Sequence, residues 1–171
     1  MITVIVIVVA LAAATVHLVV SKQPRTGKRA AELCLLYTLV VGVGFGGLFG
    51  ATGHLFAADM VAEQLGWPSG SPFQTEVGLF DLAFGVLGVC CIWFRRQWWY
   101  AVTVGWTVFA VGAGVNHLIE MSRTGNSGSL NSGSVLPDLV VPALLVALLI
   151  VRHRLSGATE AERAAEVRAG A

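Results

Sequence analysis

The chain has 171 residues, 56% of them hydrophobic, with 11 Lys and Arg against 10 Asp and Glu and a net charge of +1. Its charged fraction of 12% is about half that of a soluble domain, and at a mean hydropathy of +0.75 too few polar side chains remain to cover a water-soluble surface. A disordered chain, a nucleic-acid binder and an ordinary soluble enzyme all fit poorly, and the solvent for most of the chain is lipid.

Crossing the hydrocarbon as a helix takes about 20 apolar residues, and five segments reach or approach that length: 2–20, 33–56, 77–94, 98–121 and 137–151. The expected fold is all-α, a polytopic transmembrane helical bundle over 1–155 followed by a short polar tail over 156–171. The first segment lacks the basic n-region of a signal peptide and is read as a span. Lys22, Arg25, Lys28 and Arg29 follow it, Arg95 and Arg96 follow the third, and Arg152 and Arg154 follow the fifth, whereas only Arg123 lies on the other side. This bias predicts a multi-pass plasma-membrane protein with its N-terminus outside, its C-terminus cytoplasmic, and outer loops at 57–76 and 122–136.

On the second segment Gly42, Gly46 and Gly50 recur every four residues, with Gly53 a turn further on. Small residues at this spacing let helices approach closely, or leave room for a flat ligand. Beyond His54, the pattern Leu55, Val61, Ala62, Leu65 predicts a helix that continues to a stop at Gly66. Trp67-Pro68 suits an interfacial turn, and Ser71-Pro72-Phe73-Gln74 has the form of a capping box, with Gln74 reaching back to the helix start. On the third segment Gln74, Gly78, Asp81, Gly85 and Gly88 share one face, which turns Asp81 into the bundle and Glu76 elsewhere. Cys34, Cys90 and Cys91 all lie in apolar runs and read as ordinary thiols. Gly105 and Gly112 share a face of the fourth segment, where His117 and Glu120 are three residues apart and Asn116 adjoins them. The stretch 123–134, rich in Gly, Ser and Asn, reads as a flexible loop or one wrapped on other parts, and Thr159-x-x-Glu162 as the cap of a short solvated helix.

Counted from the cytoplasmic end at about 1.5 Å per residue, His54 stands roughly 31 Å up the second helix and His117 roughly 29 Å up the fourth, with Asp81 and Asp138 near 20 Å. A carboxylate at a helix centre costs about 2.5–3.5 kcal/mol on insertion scales, so such a group is functional or paired. Asp81 either binds a ligand or proton or pins the bundle by a hydrogen bond to Asn116, a tryptophan or a backbone group. The candidate ligand- or proton-binding residues are Asp59, Glu76, Asp81, Asn116 and Asp138. His54 and His117 read either as satisfied interfacial histidines or as ligands: with Glu120 they suit a transition metal, and as an axial pair they suit a b-type haem. His17 and His153 stand at the opposite end. No nucleophile elbow, P-loop, HExxH motif or basic nucleic-acid stripe is present, and no Lys lies inside a span.

The string Gly66-Trp67-Pro68-Ser69-Gly70-Ser71-Pro72-Phe73-Gln74-Thr75-Glu76-Val77-Gly78, preceded by Ala51-Thr52-Gly53-His54 and Asp59, resembles an uncharacterised family of small multi-span membrane proteins of bacteria and archaea. Asn116-His117 with Glu120-Met121, and Asp138 with Pro142, are similar to its later motifs; the resemblance covers about residues 45–145 and leaves the tail outside. It implies a helical bundle with the first outer loop as its distinctive surface. The expected function is that of an accessory membrane protein binding a small ligand, metal or partner at its outward polar cluster. The alternatives are a metal- or haem-dependent membrane oxidoreductase and a proton-coupled small transporter. The expected partners are the lipid bilayer and a membrane-protein partner or a second copy of the chain, and no nucleic acid.

Overall fold

The computed structural model describes the backbone of residues 2–169 and the side chains of residues 4–158, and every regular element among them is helical. In chain order these are α1 (Ile2–Val20), α2 (Gly27–Tyr37), a π-helical stretch (Thr38–Phe45), α3 (Gly46–Phe56), α4 (Ala58–Leu65), α5 (Phe73–Cys90), α6 (Gln97–Thr124) and α7 (Ser129–Ala169). Among the described residues four helical stretches are long and apolar enough to cross a membrane: Gly27–Phe56, Phe73–Cys90, Gln97–Thr124 and Ser129–Ala158. The apolar part of α1, Val4–Val20, is shorter. Exposed Val8, Val20, Phe49, Val104 and Val108 present the apolar outer surface such an environment requires.

Gly27–Phe56 is one helix wound in two ways. Thr26 starts it by accepting the Arg29 backbone N–H on its hydroxyl at 3.2 Å, and the π-helical stretch then widens its middle. Inserting the wider turns rotates the glycines that follow. In place of Gly42 and Gly46 of the expected stripe, buried Gly44 and Gly47 meet α5, whereas Gly50 of that stripe does lie against α5, at Asp81. A Cβ on Gly88 would stand 2.5 Å from the backbone nitrogen of Gly44, and one on Gly85 2.7 Å from that of Leu48. Backbone fills this seam, so it leaves no room for a flat ligand.

α6 and α7 pack against each other through side chains instead. Trp99, Val102, Val141, Leu145 and Leu149 join Leu35, Leu39 and Val43 in one apolar core, which lies toward the basic end of the bundle. The Trp99 indole N–H donates to the Cys91 carbonyl at 3.0 Å, and the Arg95 and Arg152 guanidinium groups each lie 5.5 Å from its ring.

The loops differ from expectation in three places. The helix after His54 breaks at Ala57 (φ −136°, ψ 38°) before α4 runs on to Gly66, whose φ of 71° is the left-handed stop a glycine supplies. The region 123–134 is mostly helix: α6 continues to Thr124 and α7 begins at Ser129, so only residues 125–128 connect them. At the other end the backbone of α7 continues unbroken past Thr159 to Ala169, with no separate capped helix, and the side chains of Thr159 and Glu162 lie outside those described.

Candidate functional site

The end of the bundle opposite the basic residues carries a polar core covered by two interlocked loops. Gln74, Gly78, Asp81, Gly85 and Gly88 are all buried, so α5 turns the expected face inward. Asp81 is 9% exposed, and its carboxylate lies against Gly50 of α3, where a Cβ would come within 2.5 Å of Oδ2. A side chain at position 50 would occupy the place of that carboxylate. No side-chain hydrogen bond reaches Asp81 among the described residues, and neither Asn116, which is exposed, nor a tryptophan pins it.

Asp138 approaches from α7. Its Cβ packs on Gly114 of α6, where a glycine Cβ would stand 3.0 Å away, and its Oδ2 lies 3.9 Å from Nε2 of buried His117. Asp138 lies within electrostatic reach of Asp81. Four residues on, Pro142 lacks the backbone N–H that would otherwise bond the Asp138 carbonyl in the helix.

The proton positions on His117 follow from its partners. Asn131, two helical turns before Asp138 and on the same face, donates its amide to the Asn126 carbonyl at 2.9 Å. A carbonyl only accepts, so Asn131 Oδ1 is the atom that faces His117 Nδ1 at 2.6 Å, and Nδ1–H donates to it. In the neutral ring Nε2 then carries a lone pair toward Asp138. At 3.9 Å this contact is within ion-pair range and beyond a direct hydrogen bond.

Both loops close over this pair. Trp67 stacks on the His117 ring with centroids 5.8 Å apart and planes 19° from parallel, and Phe73 meets Trp67 edge-on. Asn126 donates to the Leu65 carbonyl at 2.8 Å and accepts from the Gly128 N–H at 3.0 Å. Gly66 allows this approach, since a Cβ there would stand 2.5 Å from Asn126 Oδ1. Thus Trp67, Asn126 and Asn131 belong to the site although none was singled out as chemistry in the sequence. Asn131 had a usable signal in its spacing of seven from Asp138, whereas Asn126 sits in a Gly/Ser stretch that carries none.

The other candidates stand apart from this core. His54 Nδ1 pairs with Gln74 Oε1 at 2.7 Å. The capping box is therefore only half formed: the Ser71 hydroxyl accepts the Phe73 N–H at 3.2 Å, but Gln74 turns to His54 instead of back to the helix start. Exposed Asp59 accepts the Gly70 N–H at 3.1 Å and so organises the loop. Glu76 is exposed, and Glu120 accepts a 3.4 Å bond from the Thr124 hydroxyl. Among the described residues no three His, Cys, Asp or Glu side chains come together as a metal would require, so the expected trio of His54, His117 and Glu120 is not assembled as a metal centre. His117 engages Asn131 through one ring nitrogen and faces Asp138 with the other.

These features define a helical bundle of membrane-crossing length with a polar core at one end. Residues 1–158 match the model of a family of unknown function, DUF6790, and the chain belongs to that family. No curated protein and no solved structure matches it.

Proposed function

We propose that the chain is a five-span plasma-membrane protein, N-terminus outside and C-terminus cytoplasmic, that acts as a binding or accessory protein by holding a small cationic ligand at Asp81, Asp138 and His117. The clustering of Lys and Arg at the opposite end supports this orientation, with α1 as the fifth span. The observation that carries the binding reading is Asp81, a carboxylate 9% exposed that receives no side-chain hydrogen bond among the described residues. A confined carboxylate without protein donors is open to a ligand that brings them. What this core offers is acceptors: two oxygens from Asp81, and Asp138 alongside. The complementary ligand is a cation with hydrogen-bond donors, for which a small organic ammonium ion is the simplest chemistry.

Thermal unfolding of the detergent-purified protein against a panel of small organic amines and alkali cations tests this reading. An amine at 100 times its Kd adds about 2.7 kcal/mol, so the expected result is a raised midpoint for the wild type and none for Asp81→Asn. If no cation on the panel separates the two proteins, the reading fails. A second reading, proton-coupled transport of the same ligand, is favoured by the ionisable pair His117 and Asp138 beside Asp81. Amine-driven pH change inside reconstituted vesicles, absent in Asp138→Asn, is the expected result, and an unchanged response in that variant contradicts it.

A further inference from the structure

The basic end of the molecule holds a second feature, independent of the polar core. Lys22, Arg25, Lys28, Arg29, Arg95, Arg96, Arg152 and Arg154 gather there, and the one ion pair they form among the described residues is Arg152 with Glu32, at 3.4 Å. Arg29 is the most confined of the uncompensated cations. It is half-buried, its guanidinium donates to two neutral groups, Gln23 Oε1 and Ser21 Oγ, and its Nε is buried without a partner. A half-buried cation paired only with neutral acceptors calls for an anion.

Ser21, which Arg29 contacts, also stands at the mouth of a groove between α1 and the helix that follows. The groove, about 610 Å³, is lined by Ala13, Val16, His17, Val20, Ser21 and Tyr37. Its walls are apolar except at the mouth and one turn in, where His17 Nδ1 meets the Tyr37 hydroxyl at 3.1 Å. An anion at the mouth, a hydrogen-bonding pair about 6 Å deeper and an apolar channel beyond follow the order of groups in a phospholipid: phosphate, glycerol ester, acyl chain. We infer that the α1–α2 groove binds one anionic phospholipid, with its phosphate at Arg29, assisted by Arg25 and Lys22, its ester oxygens at Tyr37 and His17, and one acyl chain running past Val16 and Ala13. Charge complementarity selects the headgroup and the groove selects a lipid over free phosphate.

Native mass spectrometry of the detergent-purified full chain, with phosphatidylglycerol or phosphatidylcholine added, tests this. The expected result is one retained phosphatidylglycerol, no retained phosphatidylcholine, and no displacement by inorganic phosphate. Arg29→Gln weakens retention about fivefold, the loss of one basic contact near an anionic leaflet, and Arg29→Lys restores most of it. Val16→Trp, at a position 61% exposed and so tolerant of bulk, blocks the groove and abolishes retention with every cation in place. Equal retention of both lipids, displacement by inorganic phosphate, or full retention in Val16→Trp overturns the inference.

Discussion

The α3–α5 and α6–α7 pairs each carry one carboxylate into the bundle, and they accommodate it in opposite ways. Between α3 and α5 the glycines remove side chains, backbone meets backbone, and Asp81 is held against Gly50 without a side-chain donor among the described residues. Between α6 and α7 side chains are retained, and Asp138 faces an imidazole whose far nitrogen is tied through Asn131 to a loop carbonyl. The first seam fixes its carboxylate by shape alone; the second sets its carboxylate opposite an oriented ring nitrogen. A site that joins the two has two acceptors, one held by backbone and one beside a histidine.

The sharpest way to break this contrast is to put a side chain into the first seam. Gly88→Leu should lose folded, monodisperse protein on size-exclusion chromatography, because overpacking costs about 1–3 kcal/mol even where atoms can shift and here the obstacle is the Gly44 backbone 2.5 Å from the new Cβ. In the second seam, Asn131→Ala leaves the buried His117 Nδ1–H without its acceptor. A loss of about 1–3 kcal/mol is expected in denaturant unfolding, smaller than for the glycine variant and without loss of fold. Trp67→Ala tests the cover more gently. Diethyl pyrocarbonate, followed by peptide mass spectrometry, should modify His54 faster than buried His117 in the wild type, and the variant should bring the two rates together. The smallest effect is Gly112→Ala, where nothing lies within 4 Å of a new Cβ. The fold should persist and gain up to about 1 kcal/mol of helix propensity.

Much of the first seam was legible in the sequence, because helical periodicity alone puts Gln74, Gly78, Asp81, Gly85 and Gly88 on one face and all five are buried. Its partner stripe was misplaced by the π-helical stretch Thr38–Phe45, which shifts the contact from Gly42 and Gly46 to Gly44 and Gly47. No local pattern announces that change of winding. Equal depth made His54 and His117 look alike, yet one pairs with Gln74 on the neighbouring helix and the other lies beneath a tryptophan from a loop. Depth follows from counting residues, whereas partners depend on how loops fold back. The Gly66 stop was readable, and a second loop wrapped on other parts was one of two readings, but that Asn126, 60 residues later, is what closes over Gly66 was not.

The central claim is that Asp81 and Asp138, contributed by different seams, form one site. Infrared difference spectroscopy of the carboxyl C=O region tests it most directly, on the wild type, Asp81→Asn, Asp138→Asn and the double variant. One shared site predicts that removing Asp81 alters the band assigned to Asp138, so that the double variant's spectrum is not the sum of the two single changes. Strictly additive spectra, with the Asp138 band untouched by the loss of Asp81, would contradict it.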